Sequence, residues 1–269
     1  MKYFDSHAHY YDERFESECD VGVDQLIGAL LSSNVSGIIN VGTSPETSRL
    51  AIAQAKKYPQ MYTAIGIHPS DSQYLTVSVE DALADIRSLI TNPENKCVCL
   101  GEIGLDYHYP NTDRELQMDY FERQMCLARE LDMPVCIHDR EAHGDVMDVI
   151  RRYPGVRGVL HSYSGSAEMA RELVDRGYMI SFSGTVTFTN ARRVREVAAV
   201  IPHGSVLIET DCPYLAPHPY RGRLNHSGYL EYTGKTLSEV LGITEDQCAD
   251  LTEANARSFF GIKRADAKT

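Results

Sequence analysis

Short apolar segments alternate along the chain with longer segments of helical composition. The apolar segments are rich in β-branched residues and predict eight strands, at residues 3–9, 36–42, 61–67, 97–103, 134–138, 158–161, 178–183 and 205–210. Helices are predicted at residues 24–33, 45–57, 79–90, 113–131 and 191–200. Because parallel strands need long crossover connections, strands that alternate with helices indicate a parallel sheet.

Eight strand–helix units in 269 residues predict one (β/α)8 TIM barrel, regular or distorted. A doubly wound open sheet is the alternative that the same alternation allows. No linker or low-complexity stretch divides the chain, so we predict a single barrel domain at residues 1–262 and a polar C-terminal tail at 263–269. Thr112 and Thr244 are followed three residues later by Glu115 and Gln247, which predicts capping boxes at two helix starts.

Net charge and cysteine content limit the cellular compartments and the binding partners that can be expected. The 26 basic and 38 acidic residues give a net charge of −12, which argues against a protein that coats long stretches of nucleic acid. A nuclease that grips only a strand end stays compatible with this charge. The seven cysteines form no CxxC pair, and the chain begins without the apolar segment of a secretory signal. We therefore expect a cytoplasmic, non-membrane protein with free thiols, and we take a monomer as its expected state.

Polar residues collect at the C-terminal ends of the predicted strands. Strict alternation along residues 97–103 puts Val98, Leu100 and Glu102 on one face, and the first strand puts Asp5, His7 and His9 on one face. Applied to the other strands, this reasoning gives six inward-pointing side chains near strand ends: His7, His9, Glu102, His138, His161 and Asp211. The C-terminal end of a TIM barrel carries the catalytic residues.

Four imidazoles and two carboxylates at one barrel mouth indicate a metal site. Imidazole suits zinc and similar ions, whereas carboxylates also suit magnesium and manganese. Six ligands exceed what one open catalytic ion needs, so the set predicts two divalent cations (zinc, magnesium or manganese) that share a bridging carboxylate. A His-x-His pair alone carries little weight, and Glu102 alone could be a buried structural acid. The prediction depends on the six residues taken together.

Several sequence motifs resemble the TatD family of metal-dependent deoxyribonucleases, within the amidohydrolase-type barrels. The most specific are Gly-Glu-Ile-Gly-Leu-Asp at residues 101–106 and Glu-Thr-Asp-Cys-Pro at 209–213. The resemblance implies a distorted TIM barrel, divalent metals and 3′→5′ exonuclease action on DNA. It also implies that His7, His9 and Asp211 hold one ion, that His138 and His161 hold the other, and that Glu102 bridges them.

One loop departs from the family pattern. The family often reads Arg-Gly-Lys-x-Asn-Glu-Pro where residues 221–227 of this chain read Arg-Gly-Arg-Leu-Asn-His-Ser. Arg223 keeps the charge of the lysine but offers a planar fork instead of a point charge. The departure bears on substrate preference, not on the metal ligands.

The predicted chemistry assigns three catalytic residues. Divalent cations lower the pKa of water, and Asp211 accepts the proton of the attacking water as general base. Glu102 takes part as the bridging carboxylate. The leaving oxygen receives its proton from His68 or from a second water. His68 could instead be a loop histidine that caps a backbone carbonyl.

Arginines and tyrosines near strand ends are the candidate substrate contacts. Arg140, Arg221 and Arg223 are predicted to bind phosphate oxygens. Tyrosine rings can stack on unpaired bases, and we expect this of Tyr163 among the tyrosines that follow strands: Tyr10, Tyr11, Tyr107, Tyr163, Tyr214 and Tyr220. The predicted partners are single-stranded DNA or DNA ends, with RNA left open. The alternatives are a hydrolase of the same fold acting on a small ester, lactone or amide, and a non-catalytic scaffold.

Overall fold

The computed structural model describes residues 1–263 and is a TIM barrel of eight parallel strands. The strands pair in chain order: β1 (Tyr3–Ala8), β2 (Val35–Val41), β3 (Met61–Ile65), β4 (Cys97–Asp106), β5 (Val135–Arg140), β6 (Gly158–Leu160), β7 (Met179–Phe182) and β8 (Val206–Ile208). The segment after β8 returns beside β1 through a parallel bridge between Ala8 and Cys212. All eight predicted strands are therefore confirmed, with ends that differ by at most three residues.

Helices follow the strands and cover the outside of the barrel. They are α1 (Arg14–Glu18), α2 (Val23–Ser32), α3 (Pro45–Ala55), α4 (Pro69–Ser72), α5 (Val79–Thr91), α6 (Arg114–Leu131), α7 (His143–Arg152), α8 (Ala167–Asp175), α9 (Arg192–Val200), α10 (Leu230–Leu241) and α11 (Glu245–Phe260). Short 3-10 turns occupy Pro93–Asn95, Gly184–Thr187, His203–Ser205 and Ser227–Tyr229. No helix within residues 1–263 is long and apolar enough to cross a membrane. Of the predicted tail at 263–269, only Lys263 lies inside the described residues.

One of the two predicted capping boxes is confirmed. The Thr244 hydroxyl accepts a hydrogen bond from the backbone N–H of Gln247, whose side chain returns one to the Thr244 backbone. The prediction for Thr112 is wrong, because the next residue caps α6 instead. The carboxylate of Asp113 accepts from the Leu116 backbone N–H at 3.0 Å, and aspartate is one of the strongest N-cap residues.

Apolar side chains fill the lower part of the barrel interior. The inner cluster includes Phe4, Ile39, Val41, Ala64, Cys99, Cys136, Val159, Met179 and Leu207. Phe260 and Ile262, at and just after the end of α11, belong to the same cluster. A second, larger cluster lies between the strands and the surrounding helices. The barrel interior is thus apolar toward the N-terminal ends of the strands and polar at their C-terminal ends, where TIM barrels carry their active sites.

Two strands break the strict alternation on which the sequence prediction relied. Leu100 pairs with Val135 and Ile103 pairs with Ile137, so β4 carries one more residue than β5 between these pairs. An extra residue of this kind is a β-bulge, and it reverses which side chains face inward. Leu100 consequently packs in the outer cluster and not in the interior as predicted, whereas Glu102 reaches the mouth.

The first strand has the same kind of irregularity. Asp5 pairs with Ile38 and Ala8 pairs with Asn40, again one residue too many on the first strand of the pair. The predicted common face of Asp5 with the two histidines is therefore wrong. The buried Asp5 carboxylate instead accepts hydrogen bonds from Thr210 and from the Ser227 hydroxyl, and so ties β1 to the loop that follows β8.

Candidate metal centre

The buried carboxylate of Glu102 lies at the middle of the polar rim, with 3% of the residue exposed. Its Oε2 atom lies 3.3 Å from Nε2 of His7 and 3.7 Å from Nε2 of His9. Its Oε1 atom lies 2.8 Å from Nε2 of His161 and 2.9 Å from Nδ1 of His138. Each oxygen of one carboxylate therefore faces a different pair of imidazoles.

The first group of side chains comes from β1 and from the residues just after β8. Nε2 of His7 and Nε2 of His9 lie 3.0 Å apart. Oδ1 of Asp211 lies 3.4 Å from the His9 nitrogen and 3.7 Å from the His7 nitrogen. Asp211 has a left-handed backbone with φ of 57°. We call His7, His9 and Asp211 the first cluster.

The second group comes from the ends of β5 and β6. Nδ1 of His138 and Nε2 of His161 lie 3.1 Å apart, and both face Oε1 of Glu102. His68, which follows β3, adds its Nε2 atom at 3.5 Å from the same oxygen. We call His138 and His161 the second cluster, with His68 beside it. The structure thus brings all six predicted ligands together, and His68 with them.

Outer hydrogen bonds fix which nitrogen carries the proton in three of the neutral imidazoles, those of His9, His138 and His161. Nδ1 of His9 lies 2.8 Å from the carbonyl oxygen of Val41, a group that can only accept. Nε2 of His138 lies 3.2 Å from a carboxylate oxygen of Asp106. Each ring therefore donates outward, and its other nitrogen presents a lone pair to the centre.

The same holds for His161, whose Nδ1 lies 3.3 Å from Oε1 of Glu209. Glu209 also accepts a hydrogen bond from the backbone N–H of Ser162 at 2.7 Å. It is thereby held in place to fix the orientation of the His161 ring. Lone pairs of imidazoles and carboxylate oxygens then face one another at 2.8–3.7 Å across the rim. Such a set of acceptors repels itself unless a positive charge lies among them, so the donor set fits divalent cations.

When no cation is bound, protons on the histidines supply the positive charge between these acceptors. Burial raises the pKa of the Glu102 carboxyl, but His161, His68 and His7 lower it more, and the pKa lies well below its usual value. Burial lowers the pKa of His161, but Glu102 and Glu209 outweigh it and raise the pKa well above its usual value. The pKa of His138 is raised as well, since its hydrogen bonds to two carboxylates outweigh burial.

Cation binding at this centre is expected to strengthen as the pH rises. The imidazoles with raised pKa values, His9, His138 and His161, must lose protons before they can bind a cation. Affinity should therefore be weak below about pH 6.5, the ordinary histidine pKa, and should rise through the higher pKa values of the folded protein. Calorimetry of Zn²⁺ or Mn²⁺ binding, in two buffers of different ionisation enthalpy, measures both the affinity and the released protons. A pH-independent affinity with no proton release would contradict this expectation.

His68 lies beside the second cluster as a neutral imidazole. It is the N-cap of α4, where its Nδ1 accepts the backbone N–H of Ser70 at 3.1 Å. The capped group is thus an N–H and not the carbonyl of the alternative interpretation. Burial lowers the pKa of His68 to about 3, so the ring is uncharged at neutral pH. Its single proton is then on Nε2, which faces Glu102 and the centre.

The predicted substrate residues divide into two groups. Arg140 ends β5, and Arg221 and Arg223 lie in the loop after β8, all three exposed at the mouth side of the barrel. The guanidinium of Arg221 lies 4.6 Å from the centre of the Phe188 ring. Tyr163, by contrast, is 4% exposed, and its hydroxyl donates to the Ser166 carbonyl at 2.7 Å. Its ring has no free face for a base, so the structure does not bring Tyr163 into a substrate surface.

Sequence reasoning missed Asp106 as part of the centre. Its carboxylate accepts from the His138 ring and from the backbone N–H of His108 at 2.9 Å. The signal was available, because Asp106 follows Glu102 by four residues, which keeps both on the same side of a strand. Alternation counted beyond residue 103 would have identified it.

Comparison with known proteins agrees with this geometry. The family described as TatD related DNase matches residues 4–261. A relative from Bacillus subtilis strain 168, the uncharacterized metal-dependent hydrolase YabD, is 36% identical and covers 96% of this chain and 99% of its own. The uncharacterized metal-dependent hydrolase TatD of Mycobacterium tuberculosis is 33% identical, over 96% of this chain and 97% of its own.

A solved structure gives the same result. The crystal structure of YJJV, a TATD homolog from Escherichia coli K12, superposes with a TM-score of 0.86 at 28% identity. The match covers 97% of this chain and 98% of that one. The family model, the relatives that match over nearly their whole length and the solved structure all give the same assignment. The chain belongs to the TatD family of metal-dependent hydrolases.

Proposed function

We propose that this protein hydrolyses phosphodiester bonds in single-stranded DNA or at frayed DNA ends, as a 3′→5′ exodeoxyribonuclease. The observation that carries the proposal is the position of Glu102, whose two oxygens face separate clusters of metal ligands. One carboxylate between two ligand sets can hold two cations close together, and such a pair suits phosphodiester hydrolysis because it stabilises both the attacking and the leaving oxygen. The family description, TatD related DNase, supports the same substrate class.

The side chains divide into two sets of cation ligands. His7, His9 and Asp211 would hold one divalent cation, His138 and His161 would hold the other, and Glu102 would contact both. Zinc, magnesium and manganese are the candidate ions. When bound, such ions lower the pKa of water and neutralise negative charge on phosphoryl oxygens.

Asp211 and His68 are suited to opposite proton transfers. Burial raises the pKa of the Asp211 carboxyl, but three neighbouring histidines, His9 first, lower it below the usual value. Asp211 is therefore a carboxylate at neutral pH and can accept the proton of the attacking water at a carboxylate oxygen. Nε2–H of His68 can donate a hydrogen bond to the leaving oxygen, directly or through a second water.

Three arginines supply positive charge around an otherwise acidic protein. Within residues 1–263, Arg140, Arg221 and Arg223 form no ion pair with a carboxylate, and each contacts an aromatic ring. Exposed guanidinium groups on the mouth side of the barrel that are not paired with a carboxylate can bind the phosphates of a strand end. These three positive charges give the mouth a local attraction for phosphate although the whole chain has a net charge of −12. A small basic area of this kind suits a strand that is held only at its end.

The experiment compares four substrates with the purified protein in Mg²⁺, Mn²⁺ or Zn²⁺. We expect a labelled single strand to be shortened from its 3′ end, blunt duplex to be cut much more slowly, and EDTA to stop the reaction. RNA of the same sequence tests the sugar preference. Rapid cleavage of a small ester or lactone without cleavage of the single strand would overturn the proposal.

A further inference from the structure

Two tyrosine rings are exposed on opposite sides of the barrel mouth. Tyr109 follows β4 and is 54% exposed, and Tyr214 follows β8 and is 46% exposed. Because the eight strands pair in chain order around a ring, β4 and β8 lie across the barrel from each other. The metal centre lies between the two rings, since its ligands come from the strand ends on both sides.

Tyr109 is fixed beside the second cluster. Its hydroxyl accepts a hydrogen bond from Arg140 at 3.3 Å, and the guanidinium lies 5.3 Å from the ring centre. Arg140 is the register partner of Asp106, the carboxylate that holds His138. The His108 ring packs edge-on against Tyr109 at 5.2 Å. The Tyr109 ring is therefore held in place although about half of the residue is exposed to solvent.

Tyr214 is fixed beside the first cluster in the same manner. Its hydroxyl donates to a carboxylate oxygen of Asp12 at 2.7 Å, and the guanidinium of Arg14 lies 5.7 Å from the ring centre. Its backbone N–H donates to the carbonyl of Asp211 at 2.9 Å, which makes it part of the turn that carries this ligand. Both rings thus have anchored hydroxyls, an arginine neighbour and an exposed face.

We infer that Tyr109 and Tyr214 are stacking sites for the two nucleobases that flank the phosphate to be cleaved. Anchored, half-exposed rings on either side of the proposed phosphate-binding centre follow the order of a base, a phosphate and a base along one strand. Stacking on an aromatic face tolerates every base, because each base has a π-face. A paired base inside a duplex has both faces covered, so this site selects unpaired ends. The inference rests on the proposed function and names the feature of the substrate that this site recognises.

The test uses alanine and phenylalanine variants of both tyrosines. The dissociation constant for a short fluorescein-labelled single strand is measured by anisotropy in EDTA, and KM is measured with the metal-loaded enzyme. Tyr109→Ala and Tyr214→Ala should each weaken binding and raise KM about tenfold, whereas both phenylalanine variants should stay near wild type. Wild type should lose the same tenfold on a strand with abasic sites at its two 3′-terminal positions.

Tyr153→Ala is the matched control. Tyr153 also has an arginine over its ring, Arg129 at 5.3 Å, but it precedes β6 and so lies at the other end of the barrel. It should bind the strand like wild type. If wild type cleaves the strand and the two alanine variants bind and cleave it equally well, the stacking inference is wrong while the nuclease function stands. If wild type cleaves no phosphodiester, the proposed function itself has failed.

Discussion

Glu102→Gln is expected to remove cation binding from both clusters and to lower kcat by more than about a thousandfold. The reason is that a single carboxylate faces both ligand sets, at 2.8 Å from His161 and 3.3 Å from His7. An amide keeps the size of the side chain but removes its charge, and its NH₂ group cannot bind a cation. Loss of an outer hydrogen-bond partner of a ligand costs only ~10–100-fold, so loss of a shared ligand should cost more. Metal content by mass spectrometry and single-strand cleavage rates measure the effect.

Glu209→Gln is the matched control for this variant. Glu209 is also a buried glutamate near His161, but it contacts that histidine from the outer side, at Nδ1. We expect it to keep both cations at saturating concentration and to lose about 10–100-fold in activity. A Glu102→Gln protein that retains two cations per chain and normal turnover would show that Glu102 does not join the clusters.

Asp211→Asn is expected to lower turnover by several orders of magnitude while the second cluster keeps its cation. The amide cannot accept a proton, so the attacking water loses its base. The fold should survive, because asparagine tolerates the left-handed backbone that Asp211 adopts, with φ of 57°. Single-turnover rates between pH 5.5 and 9, together with metal content, measure the effect.

Asp132→Asn controls for the substitution itself. Asp132 is left-handed too, with φ of 49°, but it ends α6 and precedes β5, away from the mouth. This variant should cleave like wild type. Full activity in Asp211→Asn would remove the base assignment, and equal losses in both variants would point to a general effect on the fold.

The strands and the barrel could be predicted from the sequence because they depend on local composition and on the order of segments. Each strand is a short apolar run, and the helix between two strands dictates the parallel crossover. Helix starts were less certain: Thr112 and Asp113 both offer a capping oxygen, and only the backbone path decides between them. Local patterns thus identified each element, with errors confined to its ends.

The side chains that face the barrel interior were predicted only in part, because a β-bulge is defined by the register between two strands and cannot be recognised in one strand alone. The extra residue in β4 shows only when its register against β5 is known. Leu100 was therefore assigned to the wrong face, yet the right face was assigned to Glu102. The alternation holds in β5, where Cys136 lies in the inner cluster two residues before His138, and in the β8 segment, where Leu207 lies in the inner cluster four residues before Asp211.

The substrate surface was the least predictable part of the site. Tyr163 and Tyr109 both follow strands, and nothing in their neighbourhoods distinguishes a buried ring from an exposed one. The difference arises from how the loops fold. The Tyr163 hydroxyl donates to the Ser166 carbonyl and its ring is buried, whereas the Tyr109 hydroxyl accepts from Arg140 and its ring is exposed. Exposure is a property of the assembled loops and cannot be obtained from the order of residues.

The ring of strands closes between the first strand and the last. His7 and Asp211 meet there, joined by a hydrogen bond from the Asp211 backbone N–H to the His7 carbonyl at 2.9 Å. A nascent chain still lacking β8 therefore offers two histidines to passing cations but not the third ligand of that cluster. The first cluster is complete only after translation has passed residue 211, so a cation held by all three of its ligands could not template the earlier stages of barrel formation.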